Sequence, residues 1–110
     1  LYEYIAREKL KEKMDRGDTF VLIDTLPSEA FNKGHLPGSI SIPSDDIIEE
    51  APKQISDKEM EIVVYCGSGK CKRSEKAAER LVNLGYKKVL EYYEGKSNWV
   101  EAGFPLETNQ

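Results

Sequence analysis

The chain has 110 residues, enough for one domain with a single core and too few for two, so we expect residues 1–110 to form one domain. Hydrophobic residues make up 39% of the chain and charged residues 33%, which favours a globular protein over a disordered or membrane-embedded one. The formal net charge of -4 argues against a general nucleic-acid binder, and no apolar run approaches the ~20 residues that span a bilayer.

Hydrophobic periodicity predicts alternating helices and strands in the first half of the chain. In chain order these are a helix over Tyr2–Arg16 that ends at Gly17, a strand over Phe20–Asp24, a helix over Glu29–Asn32 that Ser28 caps, and a strand over Ser39–Ile42. A further helix is expected to begin at a cap on Ser44 or Asp45 and to end at Pro52.

The second half of the chain continues this alternation. In chain order it predicts a buried strand over Glu61–Tyr65, a helix over Ser74–Leu84 that stops at Gly85, a strand over Lys87–Tyr93, a short helix after Gly95 that holds Trp99 and Val100, and a loose tail over Thr108–Gln110. Strands that alternate with helices predict an α/β fold, with a central, mostly parallel sheet and helices on both faces.

The stretch YCGSGKCKRS places Cys66 at the C-terminal end of a predicted strand. In an open parallel sheet, ligands bind beyond the carboxyl ends of the strands. Gly67 and Gly69 allow successive N–H groups to turn inward as an anion-binding nest, and the helix that starts near Ser74 adds the positive end of its dipole. Together with nearby cations, these groups are expected to favour the thiolate of Cys66, which is the nucleophilic form.

We therefore predict that Cys66 is the catalytic residue and that the loop after it binds an anionic substrate. The predicted substrate-binding residues are Gly67, Ser68, Gly69, Lys70, Cys71, Lys72 and Arg73. Two cysteines separated by four residues do not form the disulfide framework of a secreted fold, so a reduced, cytoplasmic setting is expected. No signal peptide is visible, although the chain begins at Leu1 and the sequence leaves open whether a segment precedes it.

Three stretches resemble the signatures of rhodanese domains, in the same order along the chain. VLIDTLPSEAFNKGHLPGSISIP is similar to the first signature, VVYCGSGKCKRSEKAAERLVNLGYKKV to the active-site strand, loop and helix, and YYEGKSNWVEAGFPL to the closing signature. The resemblance covers nearly the whole chain and implies a rhodanese-like fold. It also implies that Cys66 takes a sulfane sulfur from a donor, carries it as a persulfide and passes it to a nucleophilic acceptor.

The sequence departs from the family pattern in the loop and at residue 26. Many family members have Arg five residues after the cysteine, whereas this chain has Cys71 there and Arg73 two residues further on. The longer loop implies a wider pocket, as in the related cell-cycle dual-specificity phosphatases and certain arsenate reductases. Their Cys-to-Arg spacing has five intervening residues and this chain has six, which weakens that likeness. Leu26 replaces a frequent Arg, which leaves the donor preference open.

The resemblance implies a sulfurtransferase that moves sulfane sulfur from a small anionic donor, of the thiosulfate or polysulfide class, to a thiol or cyanide-like acceptor. A protein donor or acceptor would suit the same site. No cofactor is predicted, and two Cys with one His are too few ligands for a structural zinc site. Two alternatives remain: a non-catalytic binding module, and a thiol redox or oxyanion (arsenate- or phosphate-type) enzyme that uses Cys66 and Cys71. Cys71 itself is either a spacer or a thiol that resolves or relays.

Several other residues are typical of catalytic sites but favour structural roles here. His35, in the stretch GHLPG, is expected to hold a turn through hydrogen bonds of its imidazole. Asp24 is expected to cap a helix or to accept hydrogen bonds in a loop. Trp99, Tyr92 and Tyr93 are expected in the core or at the rim of a pocket.

Overall fold

The computed structural model describes residues 1–109, which form a parallel sheet with helices on both faces. The strands are β1 (Glu3–Tyr4), β2 (Val21–Asp24), β3 (Ile40–Ser41), β4 (Glu61–Tyr65) and β5 (Lys88–Tyr92). The helices are α1 (Arg7–Arg16), α2 (Ser28–Lys33), α3 (Ile47–Gln54), α4 (Arg73–Asn83) and α5 (Gly95–Glu101), and a 3-10 turn over Ser44–Asp46 precedes α3. The strand order is β1-β5-β4-β2-β3 and the neighbouring strands pair in parallel, which confirms the predicted α/β fold.

Strand β4 lies in the middle of the sheet and carries apolar residues on both of its faces. Because side chains alternate along a strand, Ile62 and Val64 pack into one cluster with α3 and α4. Val63 and Tyr65 pack into the opposite cluster, which includes Leu10 of α1 and Trp99 of α5. The continuous apolar run of β4 is thus explained by cover on both faces of the sheet.

The predicted helix over Tyr2–Arg16 is wrong at its start. Glu3 and Tyr4 instead form β1, which pairs with Leu90 and Glu91 of β5, and the helix begins at Arg7. The reason is tertiary: a two-residue strand gains its backbone hydrogen bonds from the exposed edge of β5, which outweighs the helical spacing of the apolar residues.

The helix predicted before residue 55 is wrong at both ends. Ser44 and Asp45 lie in the 3-10 turn and form no side-chain cap, and α3 runs through Pro52 to Gln54. Proline removes only its own donor, and the Ile55 N–H still bonds to the carbonyl of Ala51 at 2.8 Å. Ala51 and Ile55 are both buried, so their packing holds this last turn in place.

Two smaller predictions about chain ends also need correction. Ser28 is the first residue of α2 and does not cap it, because Pro27 occupies the capping position. The tail predicted to be loose is tied down as far as Asn109, whose N–H bonds to the carbonyl of Asn32 at 3.1 Å. Gln110 lies outside the described residues.

The helices within residues 1–109 are short, and α4 is the longest of them at 11 residues. None of those within residues 1–109 has the length and apolar character that crossing a bilayer requires.

Candidate active site

Cys66 directly follows β4, at the C-terminal end of the central strand, and its side chain is fully buried. The loop over residues 67–72 then leads to Arg73, the first residue of α4. The Cys71 N–H bonds to the carbonyl of Ser68 at 3.1 Å, which closes a turn within the loop. The sequence-predicted nucleophile therefore lies where open parallel sheets bind their ligands.

The loop rests on the first turn of α5. The N–H groups of Lys96 and Ser97 donate to the carbonyls of Cys66 and Gly67 at 2.8 and 2.9 Å. Beneath them, Gly95 has a left-handed φ of +78°, and a Cβ at this position would lie 2.7 Å from the carbonyl oxygen of Cys66. Glycine is needed here both for the backbone conformation and for the space.

Neither Gly67 nor Gly69 has a positive φ, and the turn between Ser68 and Cys71 closes without a left-handed residue. The anion-binding nest at these glycines stays a prediction. Backbone N–H groups nevertheless point at the two sulfurs: that of Ser74 at Cys66, and those of Arg73 and Gly67 at Cys71.

Ser74 and Cys71 neighbour the sulfur of Cys66, and Glu91 lies next to Ser74. Its Sγ lies 3.3 Å from the hydroxyl oxygen of Ser74, and that hydroxyl donates to Oε2 of Glu91 at 2.7 Å. The Cys71 thiol is a further neighbour and influences the pKa of Cys66. Reasoning from the sequence missed Ser74 and Glu91, although a glutamate within the otherwise apolar run VLEYY was an available signal.

The expectation that Cys66 favours the thiolate is wrong in direction. Burial raises the pKa of the Cys66 thiol, and the interaction with the Cys71 thiol raises it further. The backbone N–H of Ser74 acts in the opposite sense but does not outweigh burial. The physical reason is depth: the cations Lys70, Lys72 and Arg73 are exposed, whereas Cys66 is removed from water.

Cys71 is the more acidic of the two thiols. Its partial burial disfavours the thiolate, but the interaction with the Cys66 thiol, the N–H groups of Arg73 and Gly67 and the charge of Arg73 together lower its pKa. The two cysteines therefore differ in character. Cys71 is the half-buried, acidic thiol, and Cys66 is the buried, protonated one.

A cavity of about 590 Å³ opens beside the loop. It is lined by Tyr4, Ala6, Gly69, Cys71, Lys72, Glu75, Glu91 and Tyr93. Three of the predicted substrate-binding residues therefore line it, namely Gly69, Cys71 and Lys72, whereas Gly67, Ser68, Lys70 and Arg73 do not. Cys66 is buried and is not among the residues of the wall. The charged lining consists of one lysine and two carboxylates, so carboxylates accompany the cation that the sequence predicts there.

The aromatic residues near the site occupy the places predicted for them. Trp99 and Tyr92 are buried in the core, and the indole N–H donates to the carbonyl of Pro105 at 2.9 Å. Tyr93 is exposed at the cavity rim, where it meets Tyr4 edge-to-face at 5.2 Å between ring centroids.

His35 and Asp24 have structural roles, as predicted. Nδ1 of His35 bonds to the carbonyl of Phe31 at 2.8 Å, and the two rings stack with centroids 3.8 Å apart. Asp24 is buried and accepts hydrogen bonds from the Tyr65 hydroxyl at 2.8 Å and the Leu26 N–H at 2.9 Å. Both side chains stabilise the loops that follow β2, and within residues 1–109 neither is a hydrogen-bond partner of the Cys66 sulfur.

Comparison with known proteins gives a family match over most of the chain. The model described as Rhodanese-like domain matches residues 6–102. The Bacillus subtilis (strain 168) protein YrkF, whose name proposes a sulfur-carrier role, is 32% identical over 95 residues, which cover 86% of this chain and 49% of YrkF. The Pseudomonas savastanoi pv. phaseolicola (strain 1448A / Race 6) protein named thiosulfate sulfurtransferase GlpE is 31% identical over 90 residues, covering 82% of this chain and 80% of that protein.

The fold match with solved structures is equally extensive. The BH2092 protein from Bacillus halodurans superposes with a TM-score of 0.90 at 28% identity, covering 97% of this chain and 77% of that one. The chain spans about half of the length, or less, of the first curated relatives that it matches.

Proposed function

The chain belongs to the rhodanese-like domain family, and on this basis we propose that it is a sulfurtransferase that carries sulfane sulfur as a persulfide on Cys66. The observation that carries this proposal is the position of Cys66 at the end of β4, with its sulfur 3.3 Å from the Ser74 hydroxyl and the cavity beyond Cys71. The name of the GlpE relative supports the same class of reaction.

The proposed reaction has two transfers of one sulfur atom. The Cys66 sulfur attacks the outer sulfur of a thiosulfate- or polysulfide-class donor, an S–S bond forms, and the rest of the donor leaves with the electron pair of the broken bond. A thiol or cyanide-like acceptor then attacks the terminal sulfur and releases the Cys66 thiolate. Because Cys66 is buried and does not line the cavity, loading requires side chains around it to move.

Intact-mass measurement after incubation with thiosulfate or polysulfide tests this proposal. We expect one added sulfur atom per chain, which a reducing agent removes in one sample and an acceptor removes in another. Loss of two hydrogens without added sulfur would instead indicate a thiol redox enzyme, and an unchanged mass with every donor would indicate a binding module.

A second candidate role is favoured by the contact between the two thiols. The acidic Cys71 is the one that peroxide reaches first, since it lines the cavity, and its sulfenic acid would be attacked by Cys66 with release of water. The product is a Cys66–Cys71 disulfide that a dithiol reduces. Such a disulfide would protect the sulfur-carrying thiol from irreversible oxidation.

Cys71→Ser is expected to load and transfer sulfur like the parent under reducing conditions, because Cys66 keeps its strand-end position and its bond to Ser74. After peroxide treatment the two proteins should differ: dithiol restores the activity of the parent but not that of Cys71→Ser. The measurement is residual sulfur-transfer activity before and after dithiol. Equal recovery would remove the protective role, and loss of turnover in the untreated variant would make Cys71 a relay for sulfur.

Arg73→Ala is expected to raise the KM for thiosulfate a few-fold without changing the melting temperature. Arg73 is exposed at the start of α4 and its charge reaches Cys71, so it contributes attraction for an anion rather than stability. Lys76→Ala, which removes an exposed cation one turn further along α4, is the matched control. An equal change of KM in both variants would show a general surface-charge effect.

A further inference from the structure

A chain of hydrogen bonds leads from the Cys66 sulfur into the sheet. The Ser74 hydroxyl has a single proton, and that proton goes to Oε2 of Glu91 at 2.7 Å. The Ser74 oxygen, 3.3 Å from the Cys66 sulfur, is then left to accept a hydrogen bond from the Cys66 thiol. All three side chains are buried. The geometry is that of a thiol joined to a carboxylate through one hydroxyl.

Glu91 is an unusual residue for its place in the fold. It lies in β5 on the face that carries Val89 and packs against α4, and no ion pair among residues 1–109 involves it. A buried carboxylate without a cationic partner costs folding free energy, which an apolar residue at the same place would not. Its presence therefore calls for a functional explanation.

The groups around Glu91 favour its protonated form. Burial raises its pKa most, and the carboxylates of Glu75 and Glu79 on α4 raise it further, while the Ser74 hydroxyl and the charge of Lys72 oppose this. Tyr2, which precedes β1, is a further titratable group near Glu91. Its own pKa is raised to about 12, so its hydroxyl stays neutral. A carboxylate in these surroundings takes up a proton more readily than one in water.

The buried thiol needs such a proton acceptor. Burial holds Cys66 in its protonated form, and the only histidine of the chain, His35, is engaged with the carbonyl of Phe31. We propose that Glu91 accepts the proton of Cys66 through Ser74 as the Cys66 sulfur attacks the donor. This inference rests on the proposed sulfurtransferase reaction. It assigns to that reaction a base that the sequence did not predict.

The step is balanced in atoms and electrons. The Cys66 proton moves to the Ser74 oxygen while the Ser74 proton moves to Glu91, which becomes a carboxylic acid. The Cys66 sulfur forms the new S–S bond with its freed electron pair, and the donor fragment leaves with the electrons of the bond that breaks. Glu91 also lines the cavity, so it is placed to return its proton to the leaving fragment. No external oxidant or reductant takes part.

The test measures single-turnover sulfur loading from thiosulfate between about pH 5 and 10 in the Cys71→Ser background, where Cys66 is the sole thiol. The variants are Glu91→Gln, which keeps the shape of the side chain, and Ser74→Ala, which breaks the chain with Glu91 intact. Ser74→Thr restores the hydroxyl. Glu79→Gln is the matched control, because it removes a nearby exposed carboxylate that is outside the hydrogen-bond chain and the cavity wall.

With Glu91 present, the rate should rise as Glu91 ionises and then stay level through neutral pH. We expect Glu91→Gln to be slower by about a hundredfold at pH 7, the lower part of the range for general-base catalysis. Its rate should then rise about tenfold for each pH unit, because it now follows the ionisation of Cys66 itself, and should approach the parental rate at high pH. Ser74→Ala should show the same rising profile. Ser74→Thr should restore the level profile through neutral pH even if its rate is lower, and Glu79→Gln should keep the level profile.

The proposal would be overturned if the pH–rate profile of Glu91→Gln ran parallel to that of the parent. An equal rate would show that Glu91 is not needed, and a rate lowered by the same factor at every pH would indicate a structural defect. The same profiles measured with iodoacetamide separate the two proposals. One outcome is that the parent takes up no sulfur while its alkylation rate stays level through neutral pH and that of Glu91→Gln rises with pH. In that case the sulfurtransferase proposal fails and the proton path stands. If sulfur loads and the profiles are parallel, the proton path alone fails.

Discussion

Cys66→Ser is expected to abolish sulfur loading, because a serine hydroxyl at this position offers no sulfur atom on which a persulfide can form. The two side chains are close in size, and the new hydroxyl would keep the Ser74 oxygen as a hydrogen-bond partner, so the fold should be preserved. Intact mass after polysulfide treatment, together with the melting temperature, checks both parts of this expectation.

Cys71→Ser treated in parallel is the control, since it removes the other thiol of the chain. The expected pair of results is an added sulfur in Cys71→Ser and none in Cys66→Ser. If Cys66→Ser still gained a removable sulfur, the carrier would be Cys71, and the proposed persulfide on Cys66 would be wrong.

Gly95→Ala is expected to damage both the fold and the site. An L-residue in the left-handed conformation costs about 1–2 kcal/mol, and overpacking typically adds about 1–3 kcal/mol. The new Cβ would lie 2.7 Å from the Cys66 carbonyl oxygen and 2.8 Å from the Ser68 nitrogen, both of which are backbone atoms. We expect the melting temperature to fall by about 10 °C or more. Sulfur loading should also fall in the protein that remains folded, because relief of the clash displaces Cys66.

Gly17→Ala separates the two causes. Gly17 has a similar φ of +72°, but a Cβ there would meet nothing within 4 Å. It should therefore show the conformational cost alone, with a smaller fall in melting temperature and normal sulfur loading. Equal effects of the two substitutions would mean that the contact between Gly95 and the loop contributes nothing beyond backbone conformation.

The sheet and its helices could be predicted because their signals are local. The apolar run of β4 and the helical spacing of Ala77, Ala78 and Leu81 in α4 depend only on neighbours along the chain. Strand β1 was missed because it owes its existence to pairing with β5, more than 80 residues away. The extension of α3 past Pro52 likewise depends on burial that the sequence does not display.

The site shows the same division between local and long-range information. The place of Cys66 followed from the strand before it and the helix after it. The direction in which the pKa of Cys66 is shifted could not be predicted from the sequence. It depends on the burial of the thiol and on its separation from the loop cations, both of which are set by packing. The link between Ser74 and Glu91 was also out of reach, since it exists only when α4 lies across β5.

Strand β1 has a consequence for how such a protein can diversify. Tyr4 stands in the cavity wall and lies just before residues 6–102, which the family model matches, whereas the thiol and its loop lie within them. Tyr4 is also the residue of β1 that pairs with Glu91 of β5. Exchange of the first few residues would therefore reshape the cavity wall next to the proposed base, so that the entrance and the chemistry would change together rather than separately.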